Sequence, residues 1–178
     1  MRLLILALQL LPGLLAVTPD PTPADDIKTA LTGNWAGTLE YRDFSEPATS
    51  AKRVKLPTWL IIEPSGANLT FHYVYDDGPT KTVTETSTIQ INPEATQYTE
   101  KGEKSESVYT VAGADKLKQG RGTLTLTGKG TDNNKPVAVR VTLKVGRNII
   151  EELRETAESG QPYVFRHNFV FTRSTYPK

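Results

Sequence analysis

Gly33-Asn34-Trp35-Ala36-Gly37 opens the first stretch in which apolar and polar residues alternate. Two glycines around a tryptophan at the head of a strand let the backbone curve sharply and approach a neighbour closely, while the indole turns to one face. From Trp35 onward a period of two dominates. It runs through Trp35 to Asp43, Val54 to Glu63, Leu69 to Tyr75, Lys81 to Ile91 and a short run from Gln97 to Glu100. It continues through Val108 to Val111, Gly122 to Gly128, Val137 to Val145, Asn148 to Thr156 and Tyr163 to Thr172. Turn chemistry separates the runs, as at Asp77-Gly78-Pro79, Asn92-Pro93 and Ser159-Gly160. Ile149 to Glu158 has a helix-favouring composition. Its very short links to two alternating runs make it a strand as well.

Roughly eight to ten strands joined by hairpin-length links, with no βαβ pattern, predict an all-β domain. A single antiparallel up-and-down barrel is the leading architecture, because closure removes both exposed edges. A two-sheet sandwich is the alternative, and Asp26 to Leu31 has room for a short N-terminal helix.

Before the strands, Arg2 precedes an apolar stretch, Leu3 to Val17, broken by Gln9, Pro12 and Gly13. It is too short and too interrupted to span a bilayer and has the form of a cleavable signal peptide over 1–17, cut between about residues 16 and 24. The expectation is export to the periplasm or beyond the cell, with no transmembrane segment in the mature protein. Residues 18–26, with Pro19, Pro21 and Pro23, form an expected linker, and 27–178 the barrel domain. The 178 residues include no cysteine, which removes disulfides, thiolate metal sites and a cysteine nucleophile together. Twenty-one Lys+Arg against 20 Asp+Glu give a net charge of +1, so no bulk field recruits nucleic acid.

A Gly-x-Trp-x-Gly run shortly after an export signal resembles the first-strand signature of lipocalins and their calycin relatives, small β-barrels that mostly bind something in their interior. The resemblance implies that Trp35 closes one end and packs against a basic side chain of the last strand, which offers Arg166 and Arg173. Lipocalin disulfides and the helix before the final strand are missing. The flanking glycines are also similar to the nitrobindin branch, which holds haem through a histidine, but the Tyr-Pro of that signature is absent. The chain most resembles secreted bacterial lipocalin-like barrels, through Leu39-Glu40-Tyr41-Arg42-Asp43-Phe44, Leu56-Pro57-Thr58 and the terminal Arg166-His167 to Thr172-Arg173.

Alternation also selects candidate residues. Tyr163, Phe165, His167, Phe169 and Phe171 fall on one face of the last run. Phe71, Tyr73 and Tyr75 make a second aromatic stripe, which sends His72 to solvent. Trp35, Leu39, Tyr41 and Asp43 share a face, and Tyr41, Asp43 and His167 would form an interior polar cluster. The expected ligand-binding set is Trp35, Tyr41, Asp43, Phe71, Tyr73, Phe165, His167 and Phe169. Thr80 to Thr88 and Glu100 to Glu106 look like solvated faces. Metalloprotease, nucleophile-elbow and phosphate-loop motifs are absent, Asp76-Asp77-Gly78 is a turn, and Glu151-Glu152 point to opposite faces. No catalytic residue, metal or cofactor is predicted. The leading function is an interior site for a small apolar or mixed-polarity molecule, the expected partner being a small hydrophobic ligand; a filled barrel acting as an envelope or extracellular interaction module is the alternative. An enzyme using His167 and a nearby carboxylate is the third reading. An interior void of several hundred Å³ would favour the first.

Overall fold

The structure is a computed structural model that describes residues 20–47 and 50–175. The expected signal peptide lies outside the described residues. A helix, α1 (Pro23–Leu31), precedes ten strands. These are β1 (Gly33–Arg42), β2 (Arg53–Ser65), β3 (Asn68–Asp76), β4 (Thr82–Ile91) and β5 (Gln97–Lys101), then β6 (Glu106–Ala112), β7 (Gly122–Asp132), β8 (Lys135–Val145), β9 (Ile149–Ala157) and β10 (Val164–Arg173). Each strand pairs antiparallel with the next, and β10 returns to β1, so the sheet closes into an up-and-down barrel instead of dividing into a sandwich. The closing seam sets Trp35 opposite Arg173, Gly37 opposite Phe171 and Leu39 opposite Phe169. Among the described residues, no helix is long and apolar enough to cross a membrane.

The charged β9 is a strand because both of its faces find partners. Outside, Glu151 pairs with Lys144 at 2.9 Å and Glu155 with Arg140 at 2.8 Å, both from β8. Inside, Ile150 and Thr156 are buried. Cross-strand partners of this kind override the helical preference of the sequence.

The helix begins earlier than the alternation suggested, within the stretch taken as linker. Pro23 occupies the first turn, where its missing N–H is no loss, and Thr22 and Asp25 form a reciprocal capping box. Ala24, Ile27, Ala30 and Leu31 are buried. The helix lies across one end of the barrel: Ala24 N–H donates to Pro93 O at 3.4 Å, and Lys28 Nζ to Ala67 O at 3.3 Å. Gly120, at φ +68°, allows the β6–β7 connection to pass against it, since a Cβ there would overlap the Asp26 carbonyl.

The C-terminal end of α1 is held by two side chains. Trp35 Nε1 donates to Leu31 O at 2.8 Å. Arg173 donates from Nη1 to Thr32 O at 3.0 Å and from Nη2 to Ala30 O at 3.1 Å, with its guanidinium 4.2 Å from the indole ring. Of the two arginines that the resemblance offered, Arg173 is the one on the tryptophan. A cation at a helix C-terminus also complements the helix dipole. Trp35 is 1% exposed. Two residues on, a Cβ at Gly37 would overlap Val170 O and lie 2.8 Å from Phe171 Cα, so the β1–β10 seam requires glycine there.

Trp35→Ala is expected to destabilise the domain by about 3–5 kcal/mol, as for a large buried ring. Gly37→Val, by forcing the seam apart, is expected to cost about 1–3 kcal/mol or more. Urea unfolding checks both; a Trp35→Ala loss below about 1 kcal/mol would take the indole out of the core.

Candidate functional site

The helix end of the barrel is packed solid, with Trp35, Leu60, Ile62, Leu69, Ile89 and Leu124 all almost fully buried. Toward the other end the inward-facing side chains part around a cavity of about 390 Å³. Its wall is aromatic and aliphatic on one side, through Tyr41, Phe44, Tyr73, Tyr75, Phe169, Leu39, Leu56 and Val83. Asp77, Glu85, Glu100, Glu152, Arg154, Arg166 and His167 complete it. Hollows of about 390 and 470 Å³ also occur beside α1 and around the β5–β6 turn, where polar residues dominate. The chamber inside the barrel is the one that combines rings with charges.

Of the residues singled out in the sequence, Tyr41, Tyr73, His167 and Phe169 line this chamber. Trp35 and Phe71 do not; they belong to the packed core, at 1% and 5% exposure. Phe165 is a correction. The β9–β10 register shifts between Phe165 and His167, a bulge that strict alternation cannot foresee. Phe165 therefore lies level with Glu155, off the row of Phe169 and Phe171, and its ring carries the Arg53 guanidinium at 4.4 Å. Tyr163 leaves that row too and lies 4.2 Å under Arg140. The same bulge brings Arg166 into the chamber wall.

Asp43 is the second correction. It lies just past β1, accepts from Ser45 Oγ at 2.6 Å and pairs with Lys52 at 3.0 Å, so the Tyr41, Asp43 and His167 cluster does not form. These partners hold the Asp43 carboxyl well below the usual range, at about 2, the Ser45 hydroxyl contributing most. The carboxylate beside His167 is Glu152, 3.7 Å from Nε2. His72, on the alternate row of β3, is 41% exposed and lies 3.2 Å from Thr86 Oγ1.

Among the chamber residues outside the sequence-predicted set, Glu85, Glu100, Glu152 and Arg154 bring most of its charge. Glu85 and Glu100 sit in the two segments taken as solvated, but each continues an inward row, Glu85 that of Ser87 and Ile89 and Glu100 that of Tyr98. Their strand phase was the available signal. Arg154 reaches across the barrel, with Nη1 3.9 Å from Glu100 Oε2 and Nη2 donating to Tyr109 Oη at 2.8 Å. Tyr75 donates to Glu85 Oε2 at 3.2 Å. Above them, Asp132 is shared by Arg166 at 3.6 Å, Arg42 at 3.4 Å and the Thr156 hydroxyl at 3.2 Å.

Burial, then the Glu152 charge, push the Glu100 carboxyl up to about 7, with Arg154 opposing. About a third of that side chain is accessible, through the open mouth of the chamber it borders. Burial likewise holds Tyr73 and Tyr98 protonated well beyond the ordinary tyrosine range. Chemically the chamber offers stacked rings, carboxylates, one guanidinium free of Asp132 and an imidazole.

The fold and site together define a closed, ten-stranded antiparallel barrel, plugged at one end and hollow at the other. It is similar to the crystal structure of Rv2717c from M. tuberculosis, with a TM-score of 0.58 and 16% identity over 87% of this chain and 99% of that one. That likeness is one of architecture. Comparison with protein-family models and with curated proteins gives no match.

Glu100 has a raised folded-state pKa, so the native state holds a proton that the unfolded chain has already lost. This contribution to stability falls as pH rises from the ordinary 4.5 through about 7 and is level above that. In a carbon-detected titration the Glu100 carboxyl is expected to show a midpoint near 7, and Glu100→Gln to flatten the decline in stability. A midpoint near 4.5 would contradict the buried placement.

Proposed function

We propose that this chain is a calycin-like binding protein that holds a small molecule of mixed polarity in the chamber, and that it acts after export, in the periplasm or outside the cell. The observation that carries the reading is the chamber itself. Its volume of about 390 Å³ falls in the range of small-molecule sites, about 300–1,000 Å³, and it joins an apolar wall to a few convergent polar groups. A barrel working only through its loops would gain by filling that space, because interiors pack to near-crystalline density. Tyr41, Tyr73, Phe169 and His167 are the proposed contacts shared with the sequence-based set, joined by Tyr75 and Leu56. Export is supported by Arg2 and the apolar run Leu3 to Val17.

A neutral polarity-sensitive naphthalene dye is expected to bind the mature chain saturably at one site. Leu56→Trp, which adds a large ring to the chamber wall, is expected to abolish that binding while the thermal midpoint stays within a few degrees of wild type. Absence of saturable binding, or equal binding by the variant, would contradict the reading. For export, the intact mass of protein recovered outside the cytoplasm is expected to begin between residues 17 and 25; an unprocessed chain held in the cytoplasm would contradict it.

A further inference from the structure

The charges on the chamber wall do not balance, and their sign bears on what the chamber holds. Glu85, Glu100 and Glu152 all face it. Arg154 is the guanidinium among them, 3.9 Å from Glu100 and also bonded to Tyr109. Arg166, the other guanidinium on the wall, is engaged by Asp132 and stacks on Phe44 at 4.0 Å. Asp77, at the rim, is held by Lys81. His167 lies 3.7 Å from Glu152 and supplies a charge only when protonated. Because Asp132 is shared between Arg166 and Arg42, the wall sets three carboxylates, Glu85, Glu100 and Glu152, against Arg154 and the part of the Arg166 charge that Asp132 leaves, and its balance stays negative. Glu85 is exposed at the chamber mouth, while Glu100 and Glu152 are half-buried; carboxylates partly withdrawn from water without enough counter-charge are costly, and a ligand of opposite sign relieves that cost.

The rings opposite favour the same sign. Tyr73 and Tyr75 stack in parallel, 5.9 Å apart with 2° between their planes, and Phe169 lies 5.5 Å from Tyr73. Faces of aromatic rings carry negative potential and attract organic cations, most strongly where water is excluded. An anion would meet repulsion from the three carboxylates and the ring faces, with attraction only from Arg154, already on Glu100 and Tyr109, and from Arg166, already on Asp132 and Phe44.

Resting on the reading of the chamber as a binding site, we infer that its ligand is an organic cation, a protonated amine on an apolar or aromatic body. The ammonium sits among Glu85, Glu100 and Glu152, and the body lies along Tyr73, Tyr75 and Phe169. Arg154 stays on Tyr109 and keeps the nearest carboxylates in place. The binding is linked to protons through Glu100. From the strands packed around it, that residue faces Glu85 of β4, Tyr109 of β6, Glu152 and Arg154 of β9 and Tyr73 and Tyr75 of β3. With its carboxyl pushed up to about 7, a bound ammonium drives out the remaining proton, so amine affinity rises with pH across neutrality.

The test uses the mature full-length chain and three probes of one shape, 3-phenylpropylamine, 3-phenylpropan-1-ol and 3-phenylpropanoate, titrated by calorimetry and by displacement of the neutral dye. The amine is expected to bind about tenfold or more tighter than the alcohol, the weight of a charge-assisted hydrogen bond, and the carboxylate weakest. Its affinity is expected to fall about tenfold from pH 8 to pH 6, as for one group of pKa near 7 that must ionise. Glu152→Gln and Glu100→Gln are each expected to shrink the amine-to-alcohol ratio, and Glu100→Gln to remove the pH dependence. Equal or tighter binding of the alcohol or the carboxylate, an undiminished ratio in both variants, or failure of all three probes to displace a bound dye overturns the cationic assignment and leaves the chamber reading intact. If the dye itself does not bind, and neither does the amine, both readings fall.

Discussion

Arg173 and Trp35 fasten the end of α1 to the barrel, and the rest of the architecture depends on that clamp. The last carbonyls of a helix have no partners within it. Here Ala30 and Thr32 receive the Arg173 guanidinium and Leu31 the indole N–H, while the same guanidinium covers the indole face. One residue from the last strand and one from the first thereby secure the helix that plugs the barrel, close to where β1 and β10 complete the sheet. The seam is equally particular: Gly37 lets two backbones meet more closely than any side chain would allow. With one end sealed this way, the core beneath α1 packs without help from disulfides, which the chain cannot form.

That division of labour explains how the other end stays hollow. Apolar burial around Trp35, Leu60, Ile62 and Phe71 supplies the stability, and about 390 Å³ of interior is left to groups that serve stability poorly. A carboxyl raised to about 7 is a destabilising placement at neutral pH. Arg154 and the tyrosine hydroxyls offset part of it and fix the geometry, as at Tyr109 and Tyr75. Sites that bind through pre-positioned polar groups commonly carry such a local penalty, which the partner removes.

The strand pattern was legible because each of the ten runs buries one face, which a period of two records directly. Trp35 and Gly37 were legible for a related reason, since a bulky ring and a close approach each demand a particular residue type; the arginine on the indole came only from the family resemblance, which left Arg166 and Arg173 both open. The site was half legible. Tyr41, Tyr73, His167 and Phe169 followed from alternation, whereas Phe165 was lost to a bulge between it and His167 that has no composition signature. Glu85 and Glu100 were hidden for the opposite reason. A carboxylate on a strand is ordinarily a solvent-facing residue, and only its phase relative to Ser87 or Tyr98 reveals an inward one. Asp43 failed because alternation ends with the strand, and beyond Arg42 the chain turns to satisfy Ser45 and Lys52.

The central claim is that one end of this barrel is a locked plug and the other a ligand chamber. Intermolecular nuclear Overhauser effects between a bound amphiphilic probe and the aromatic protons of the protein test it most directly. The account predicts contacts from the probe to Tyr73, Tyr75 and Phe169, with none to Trp35. Contacts to Trp35 or to α1, or a probe that touches the outer surface alone, would contradict it.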